Sequence, residues 1–159
     1  MRLKFKPKFD HIGIVVKNLE NVSDFLSKLF ETDQPSFISA WEEGRYTMIP
    51  TDGPDSTKIE PLEPKKGWLL DFLRANGEMA VAEICFRVYD IEEFYDKVRG
   101  MGLTPVDDYG VPLVDKKYFL INDEEGVTAK CFYFNLPLKP NQGPAFEIIE
   151  YSPEELPRY

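Results

Sequence analysis

The stretch FDHIGIVV, residues 9–16, and the stretch VAEICFRV, residues 81–88, are two versions of one strand pattern. Both place an apolar residue at every second position: Ile12, Ile14, Val16, Ile84, Phe86 and Val88. Because alternate residues of a strand face opposite sides of a sheet, these six side chains are expected to pack against helices. The opposite face then carries His11, the only histidine of the chain, and its counterpart Glu83.

The segments that follow these strands repeat at the same spacing of 72 residues. Apolar residues with a helical period follow each strand: Leu19, Val22, Leu26 and Leu29, then Ile91, Phe94, Val98 and Met101. Asn18 and Asp90 are placed to cap the two helices. Three strand candidates follow each helix: 36–41, 45–50 and 57–62, then 116–121, 127–136 and 145–151, with residues 123–126 joining 116–121 to 127–136. Each half therefore reads βαβββ.

The predicted fold is α+β, with paired βαβββ modules forming one pseudo-symmetric domain over residues 1–159. Module one is expected at about residues 7–66, a connecting helix at about 67–78 and module two at about 79–152. Neither half alone would bury much surface, so the two modules are expected to share one sheet system. Helices would cover the outer face of the sheet, and the central cleft on its inner face is the candidate ligand site.

The composition, with 43% hydrophobic and 30% charged residues, is that of an ordinary globular protein. The formal net charge of −9 argues against a nucleic-acid partner and favours a small molecule or another protein. No window resembles a membrane span, and Asp10 and His11 follow the basic N-terminus too closely for a signal peptide, so we expect a cytoplasmic protein. Cys85 and Cys131 lie in apolar segments and are expected to be free thiols.

Two further glutamates extend the candidate site. Glu60 and Glu147 lie between apolar neighbours on the last predicted strand of each half, so both carboxylates are expected to face the cleft with His11 and Glu83. Taken singly, each glutamate equally fits a solvated strand face. Three clustered carboxylates repel one another, and a divalent metal ion would remove that repulsion. The candidate ions are Mn, Co, Zn, Fe, Ni and Mg, and an oxygen-rich set favours the harder ones.

Four stretches resemble the vicinal oxygen chelate superfamily, and most of all its methylmalonyl-CoA epimerase branch: FDHIGIVVKNLENVSDFLSKLF (9–30), IEPLEPKKGWLLDFLRANGE (59–78), ICFRVYDIEEFYDKVRGMGL (84–103) and AFEIIEY (145–151). The resemblance implies modules whose mixed sheet curls around a divalent metal, and a possible homodimer. It implies that His11, Glu60 and Glu147 are metal ligands. Glu83 stands where these enzymes usually carry a second histidine.

The resemblance also implies a metal-dependent isomerase or lyase that abstracts an α-proton, for example from an acyl thioester such as methylmalonyl-CoA. The stretch AWEEGRYTMIP (40–50) is similar to the segment that supplies a catalytic glutamate in the epimerases, with Glu42 as the closest match and Glu43 one residue off. Glu147 or Glu42 would be the base. Arg87, on the inner face by alternation with Glu83, would bind a substrate carboxylate or pair with a glutamate.

Other functions remain open on this scaffold. A non-catalytic small-molecule binding or resistance protein is the main alternative, because Glu83 replaces a histidine. A glyoxalase-type lyase or a dioxygenase is a weaker alternative, and one histidine cannot build the two-histidine, one-carboxylate triad of an iron dioxygenase. Residues 103–134 form a longer region than in the epimerases and are expected to shape the entrance to the pocket.

Overall fold

The computed structural model describes residues 3–33, 38–53, 56–122, 128–136 and 143–152. In these ranges the first half contains β1 (Lys8–Val15), α1 (Leu19–Leu29), β2 (Ser39–Trp41), β3 (Gly44–Tyr46), β4 (Ile49–Pro50) and β5 (Lys58–Pro64). After α2 (Gly67–Asn76) come β6 (Val81–Arg87), α3 (Ile91–Gly100), β7 (Phe119–Asn122), β8 (Thr128–Phe134) and β9 (Ala145–Tyr151). The connection predicted at residues 123–126 lies outside the described ranges.

These strands form one curled, mixed sheet in the order β2-β3-β5-β1-β6-β9-β8-β7, with β4 paired to β5. At the centre β1 and β6 run antiparallel, and each has a parallel neighbour from its own half, β5 beside β1 and β9 beside β6. Read outward from the centre, the two halves follow the same order, β1-β5-β3-β2 and β6-β9-β8-β7. This symmetry confirms the predicted α+β fold of paired modules. That residues 1–159 form one domain stays a prediction.

Helices α1 and α3 cover the outer face of the sheet, as expected. Asn18 Oδ1 accepts a hydrogen bond from the Asn21 N–H at 2.8 Å, and Asp90 Oδ1 accepts one from the Glu93 N–H at 3.0 Å. Each cap satisfies an N–H group that has no partner inside its helix. The cluster under α1 contains Ile14, Val16, Leu19, Leu26 and Ile49. The cluster under α3 contains Val88, Ile91, Tyr95, Val98, Phe132, Phe134 and Ile148.

Helix α2 departs from the expectation that helices lie on the outer face. Its buried residues pack with side chains of the inner face, in a cluster of Val15, Leu62, Leu69, Phe72, Leu73 and Ala82. Leu62 follows Glu60 by two positions on β5, so the two side chains share a face. Helix α2 therefore closes one end of the cleft. None of the helices in the described ranges is both long enough and apolar enough to cross a membrane.

The strand predicted at residues 45–50 is divided into β3 and β4. Tyr46 pairs with Leu62 and Ile49 pairs with Ile59, so both strands follow β5 in a single register. The gap between them lies opposite Pro61, which has no N–H group to donate to the ladder. The interruption therefore has a local cause, and it leaves Met48 against the cleft beside Glu60.

Candidate metal centre

The four predicted ligand residues converge at the floor of one cavity. His11 lies on β1, Glu60 on β5, Glu83 on β6 and Glu147 on β9, and all four are buried. His11 Nε2 is 3.1 Å from Glu147 Oε2 and 3.7 Å from Glu60 Oε2. Ligand atoms of His11, Glu83 and Glu147 all lie within 4.8 Å of one another. The structure therefore brings the four side chains together, while their role as ligands stays a proposal.

The central strands create the space that this arrangement needs. Gly13 pairs with Glu60 on one side and with Glu83 on the other. A Cβ atom at Gly13 would lie 2.9 Å from Leu62 Cδ1 and 3.0 Å from Glu83 Oε2. Separations this short are not tolerated in a packed interior, so a side chain here would displace Leu62 and the Glu83 carboxylate. The glycine therefore allows Glu83 to approach the centre.

Asp10 supports the histidine from behind, a role that the strand pattern did not predict. Asp10 Oδ2 lies 2.8 Å from His11 Nδ1 and accepts a hydrogen bond from the Tyr151 hydroxyl at 3.0 Å. A carboxylate on Nδ1 keeps that nitrogen protonated and directs Nε2 toward the centre. The pairing of β1 with β6 shifts register between Phe9 and His11, and a bulge of this kind turns neighbouring side chains to one side of a strand.

Burial and mutual repulsion determine the protonation of the floor. Burial, with the neighbouring Glu147 and Glu60, raises the pKa of Glu83 well above its usual range. Burial also raises the pKa of Glu60 to about 7, against the opposing effect of His11. Burial alone would lower the pKa of His11, but Cys85, Glu60 and Asp10 together raise it well above its usual range. Without a cation, these carboxyl groups and the imidazole hold protons near neutral pH.

The donor set fits a divalent metal ion. One imidazole nitrogen and three carboxylates line the same cavity, and no Lys or Arg side chain lines it in the part of the chain that the structure describes. A divalent cation would replace the protons that the buried cluster otherwise holds. The residues that would hold it are His11, Glu60, Glu83 and Glu147. Asp10 would orient the histidine without binding the ion.

Aromatic residues form the walls of the cavity, whose volume is about 150 Å³. The rings that line it are Trp41, Tyr46, Trp68, Phe119, Tyr133 and Tyr151. The ring centroids of Trp68 and Tyr133 are 6.4 Å apart, and those of Phe119 and Tyr133 are 6.0 Å apart. Glu43 and Asp108 also line the cavity and are only half-buried, so they lie toward its solvent end. Apolar rings therefore separate an acidic floor from an acidic entrance.

The two adjacent glutamates of the β2–β3 turn point in different directions. The Glu42 side chain is 62% exposed, and its carboxylate binds Lys66 Nζ at 2.6 Å and the Tyr109 hydroxyl at 3.0 Å. It does not line the cavity, whereas Glu43 does. The Glu43 carboxylate packs on Gly67, where a Cβ atom would collide with it. Of these two candidates for the base, the cavity lining therefore contains Glu43 and not Glu42, because the turn interrupts the strand alternation; the catalytic role of either residue stays a prediction.

Arg87, the predicted substrate-binding residue, lies outside the cavity lining. It is half-buried at the end of β6, opposite Lys8. Cys85, the preceding residue on the same face, packs with Ile149 and Tyr151. Apolar side chains therefore form the cavity wall at this end of the strand. Both cysteines are free and buried, as predicted, and Cys131 Sγ lies 3.5 Å from Glu147 Oε1.

Solved structures share this fold at low sequence identity. Methylmalonyl-CoA epimerase from Mycobacterium tuberculosis is 17% identical with a TM-score of 0.69, over 92% of this chain and 89% of that one. A variant of the Streptomyces coelicolor epimerase, in complex with 2-nitronate-propionyl-CoA, is 20% identical with a TM-score of 0.66, over 92% and 95%. A variant of Streptomyces coelicolor 4-hydroxymandelate synthase is 18% identical with a TM-score of 0.70, over 92% and 49%. These likenesses show the fold alone.

Sequence comparison gives a firmer result for the family. No relative was found among curated protein sequences. The model of the Glyoxalase/Bleomycin resistance protein/Dioxygenase superfamily matches residues 10–119, which is more than half of the chain. The match covers β5, β6 and β1 from Asp10 onward, and so includes His11, Glu60 and Glu83. The chain therefore belongs to the Glyoxalase/Bleomycin resistance protein/Dioxygenase superfamily.

Proposed function

We propose that the protein is a metal-dependent isomerase or lyase that removes a proton from a carbon next to a carbonyl group. The observation that carries this proposal is the convergence of His11 Nε2 with the carboxylates of Glu60, Glu83 and Glu147 at the floor of a cavity. When bound there, a divalent ion supplies Lewis-acid polarisation of a substrate carbonyl. The aromatic walls exclude water and position the substrate above the floor.

Two glutamates of the cavity lining are candidates for the base that removes the proton. Glu43 lines the cavity from the β2–β3 turn and Glu147 lines it from β9. Burial raises the pKa of Glu43, although Lys66 opposes the effect. A raised pKa improves a carboxylate as a general base near neutral pH. We assign proton removal to Glu43, which then holds that proton and can exchange it with water or return it to the carbon. Glu147, as an ionised ligand, would hold the metal ion. Glu42 has no role in this scheme.

An acyl thioester such as methylmalonyl-CoA is the first compound in which to test this reaction. The resemblance to the epimerases points to it, and the Streptomyces coelicolor epimerase variant was solved with 2-nitronate-propionyl-CoA. Proton abstraction can be followed by NMR as exchange of the α-proton in deuterated water. Exchange should require a divalent ion and be lost in Glu43→Gln, while Glu42→Gln, the matched control, should retain it. Absence of exchange with every thioester and α-hydroxy ketone tried would count against the proposal.

A non-catalytic binding protein is the second candidate. Glu83 favours it, because burial raises the pKa of this carboxyl group well above its usual range. A protonated Glu83 allows the site to exist without a metal ion. The metal content of protein purified without chelators separates the two functions. A stoichiometric divalent ion supports the enzyme, whereas tight binding of an organic ligand without any ion supports the binding protein.

Two further expectations concern the cellular compartment and the oligomeric state of the protein. We expect it in the cytoplasm, acting on a small molecule, with a homodimer as the assembly that the family resemblance implies. Sedimentation of the purified chain measures the assembly, and fractionation of cells that express it measures the compartment.

A further inference from the structure

We infer that this cavity selects a carbonyl substrate with a single aromatic ring and without negative charge. Aryl carbonyl compounds that are uncharged or carry an ammonium group should therefore bind better than acyl-CoA thioesters. The inference rests on the proposed function of the same site and narrows its substrate class. Three features carry it: the size and aromatic walls of the cavity, the sign of its charges, and the loop that supplies Asp108.

The cavity accommodates one ring. Its volume of about 150 Å³ is the size of an apolar protein cavity that binds benzene. Trp68, Tyr133 and Phe119 form a continuous wall of contacting rings, and the ring centroids of Trp41 and Tyr46 lie 6.0 Å apart. Aromatic faces favour offset or edge contacts with another ring and also attract cations. The long coenzyme A portion of a thioester would lie outside this space.

The charges that surround this space are negative at both ends. At the floor, the three carboxylates of Glu60, Glu83 and Glu147 together with a divalent cation would leave a net charge of one negative unit. At the solvent end lie two more acidic residues, Glu43 and Asp108. Lys and Arg side chains are absent from the lining in the described ranges. Lys66, which interacts with Glu43, is paired with Glu42 outside the cavity. A phosphate or carboxylate at the entrance would therefore meet repulsion, and an ammonium group would meet attraction.

The position of Asp108 is built into the loop that carries it. Asp107 Oδ1 accepts hydrogen bonds from the N–H groups of Tyr109 at 2.9 Å and Val111 at 2.8 Å. The Trp68 indole N–H donates to the Asp108 carbonyl oxygen at 3.3 Å. These contacts tie the loop to the aromatic wall. The Asp108 loop thus supplies an acidic group to the cavity, and β7 and β8 supply the rings of Phe119 and Tyr133.

Three matched compounds test the charge preference. Each is a 2-hydroxyacetophenone with the same ring and the same two vicinal oxygens, and the para substituent is aminomethyl, hydroxymethyl or carboxylate. Binding to manganese-loaded protein can be followed by tryptophan fluorescence, because both tryptophans of the chain line the cavity. Calorimetry provides an independent Kd. We expect the amine to bind at least about tenfold more tightly than the carboxylate, with the uncharged compound between them.

Two variants locate the source of the preference. Asp108→Asn should reduce the difference between amine and carboxylate to roughly threefold or less and leave the Kd of the uncharged compound unchanged. Glu42→Gln removes a nearby carboxylate that does not line the cavity, and it should leave the difference in Kd between amine and carboxylate unchanged. Equal effects of the two variants would mean that overall charge, and not the cavity, produces the preference, and would overturn the inference.

The outcomes for the inference and for the proposed function can be separated. Binding of the carboxylate as tightly as the amine, or displacement of the bound amine by an equal concentration of propionyl-CoA, overturns the inference even if α-proton exchange is observed. A clear preference for the amine without exchange of the α-protons of any of the three compounds or of the thioesters overturns the proposed function and supports the inference.

Discussion

The two halves of the sheet have the same architecture but bring different chemistry to its centre. At equivalent positions of β1 and β6, the first half offers an imidazole and the second a carboxylate, His11 and Glu83. Asp10 supports the histidine, whereas Ala82 occupies the equivalent position before Glu83. Gly13 of β1 leaves space for the Glu83 side chain, whereas a buried side chain, Cys85, occupies the equivalent position of β6. The repeat therefore determines where groups converge, and individual residues determine what they bind.

The largest effect is expected from removing the imidazole. His11→Ala should weaken divalent metal binding by more than about 100-fold, because the site loses its only nitrogen ligand. Glu83→Gln, at the equivalent position, keeps an oxygen ligand and should cost less. Titration calorimetry of both variants with Mn²⁺ and Zn²⁺ measures the difference. Equal losses would show that the two halves contribute alike.

The next effect concerns the support behind the histidine. Asp10→Asn should lower metal affinity by about 10- to 100-fold, because the amide no longer holds the proton on His11 Nδ1 as firmly. The fold should persist, since Asn retains the shape of the side chain. Tyr151→Phe removes the other partner of Asp10 and is expected to have a smaller effect. An Asp10→Asn protein with unchanged affinity would remove Asp10 from the account.

Much of this comparison could be predicted from the alternation of residues and from the repeat. Those two patterns were sufficient to place His11 and Glu83 on the same inner face and to direct Glu60 and Glu147 into the cleft. They failed where the backbone departs from regular strand geometry. The bulge before His11 brings Asp10 behind the ring. The alternation ends at the turn before β3, so it could not decide whether Glu42 or Glu43 lines the cavity. The inner location of α2 depends on packing between distant segments, which local patterns do not contain.

The pH dependence of stability should differ between metal-free and metal-loaded protein. The pKa of Glu60 is raised to about 7 in the folded state, and the pKa of Glu83 is raised well above its usual range; burial is the largest cause of both shifts. The folded chain then holds protons that the unfolded chain releases. Metal-free protein should lose stability as pH rises from about 5 to 8, by up to about 1.4 kcal/mol per pH unit for each proton.

The raised pKa of His11 acts in the same direction, because stability from its charged form is lost as pH rises through the folded-state pKa. Bound metal replaces these protons, so metal-loaded protein should show a weaker dependence over the same range. Thermal melting with and without a chelator measures both curves. A metal-free protein that becomes more stable between pH 5 and 8 would contradict the assigned directions.

The smallest effect is expected at Gly13, which lies on β1 beside Glu83 of the second half. Gly13→Ala places a Cβ atom against Leu62 and the Glu83 carboxylate, and should cost about 1–3 kcal/mol of stability and weaken metal binding several-fold. Cys85→Ala, at the equivalent position of β6, removes atoms from a packed site and should lower stability with little effect on metal binding. Chemical denaturation of the Gly13→Ala and Cys85→Ala proteins measures the loss of stability, and metal titration measures the loss of metal affinity. A steric effect at Gly13 lowers both, whereas a cavity at Cys85 lowers mainly the stability.

The central claim is that the four converging side chains form one metal site. The most direct test is elemental analysis after dialysis of wild-type protein and His11→Ala against a mixture of Mn²⁺, Co²⁺, Zn²⁺, Fe²⁺, Ni²⁺ and Mg²⁺. We expect one divalent ion per wild-type chain and a small fraction of that in the variant, with both proteins folded by circular dichroism. Equal metal content in the two proteins, or none in the wild type, would contradict it.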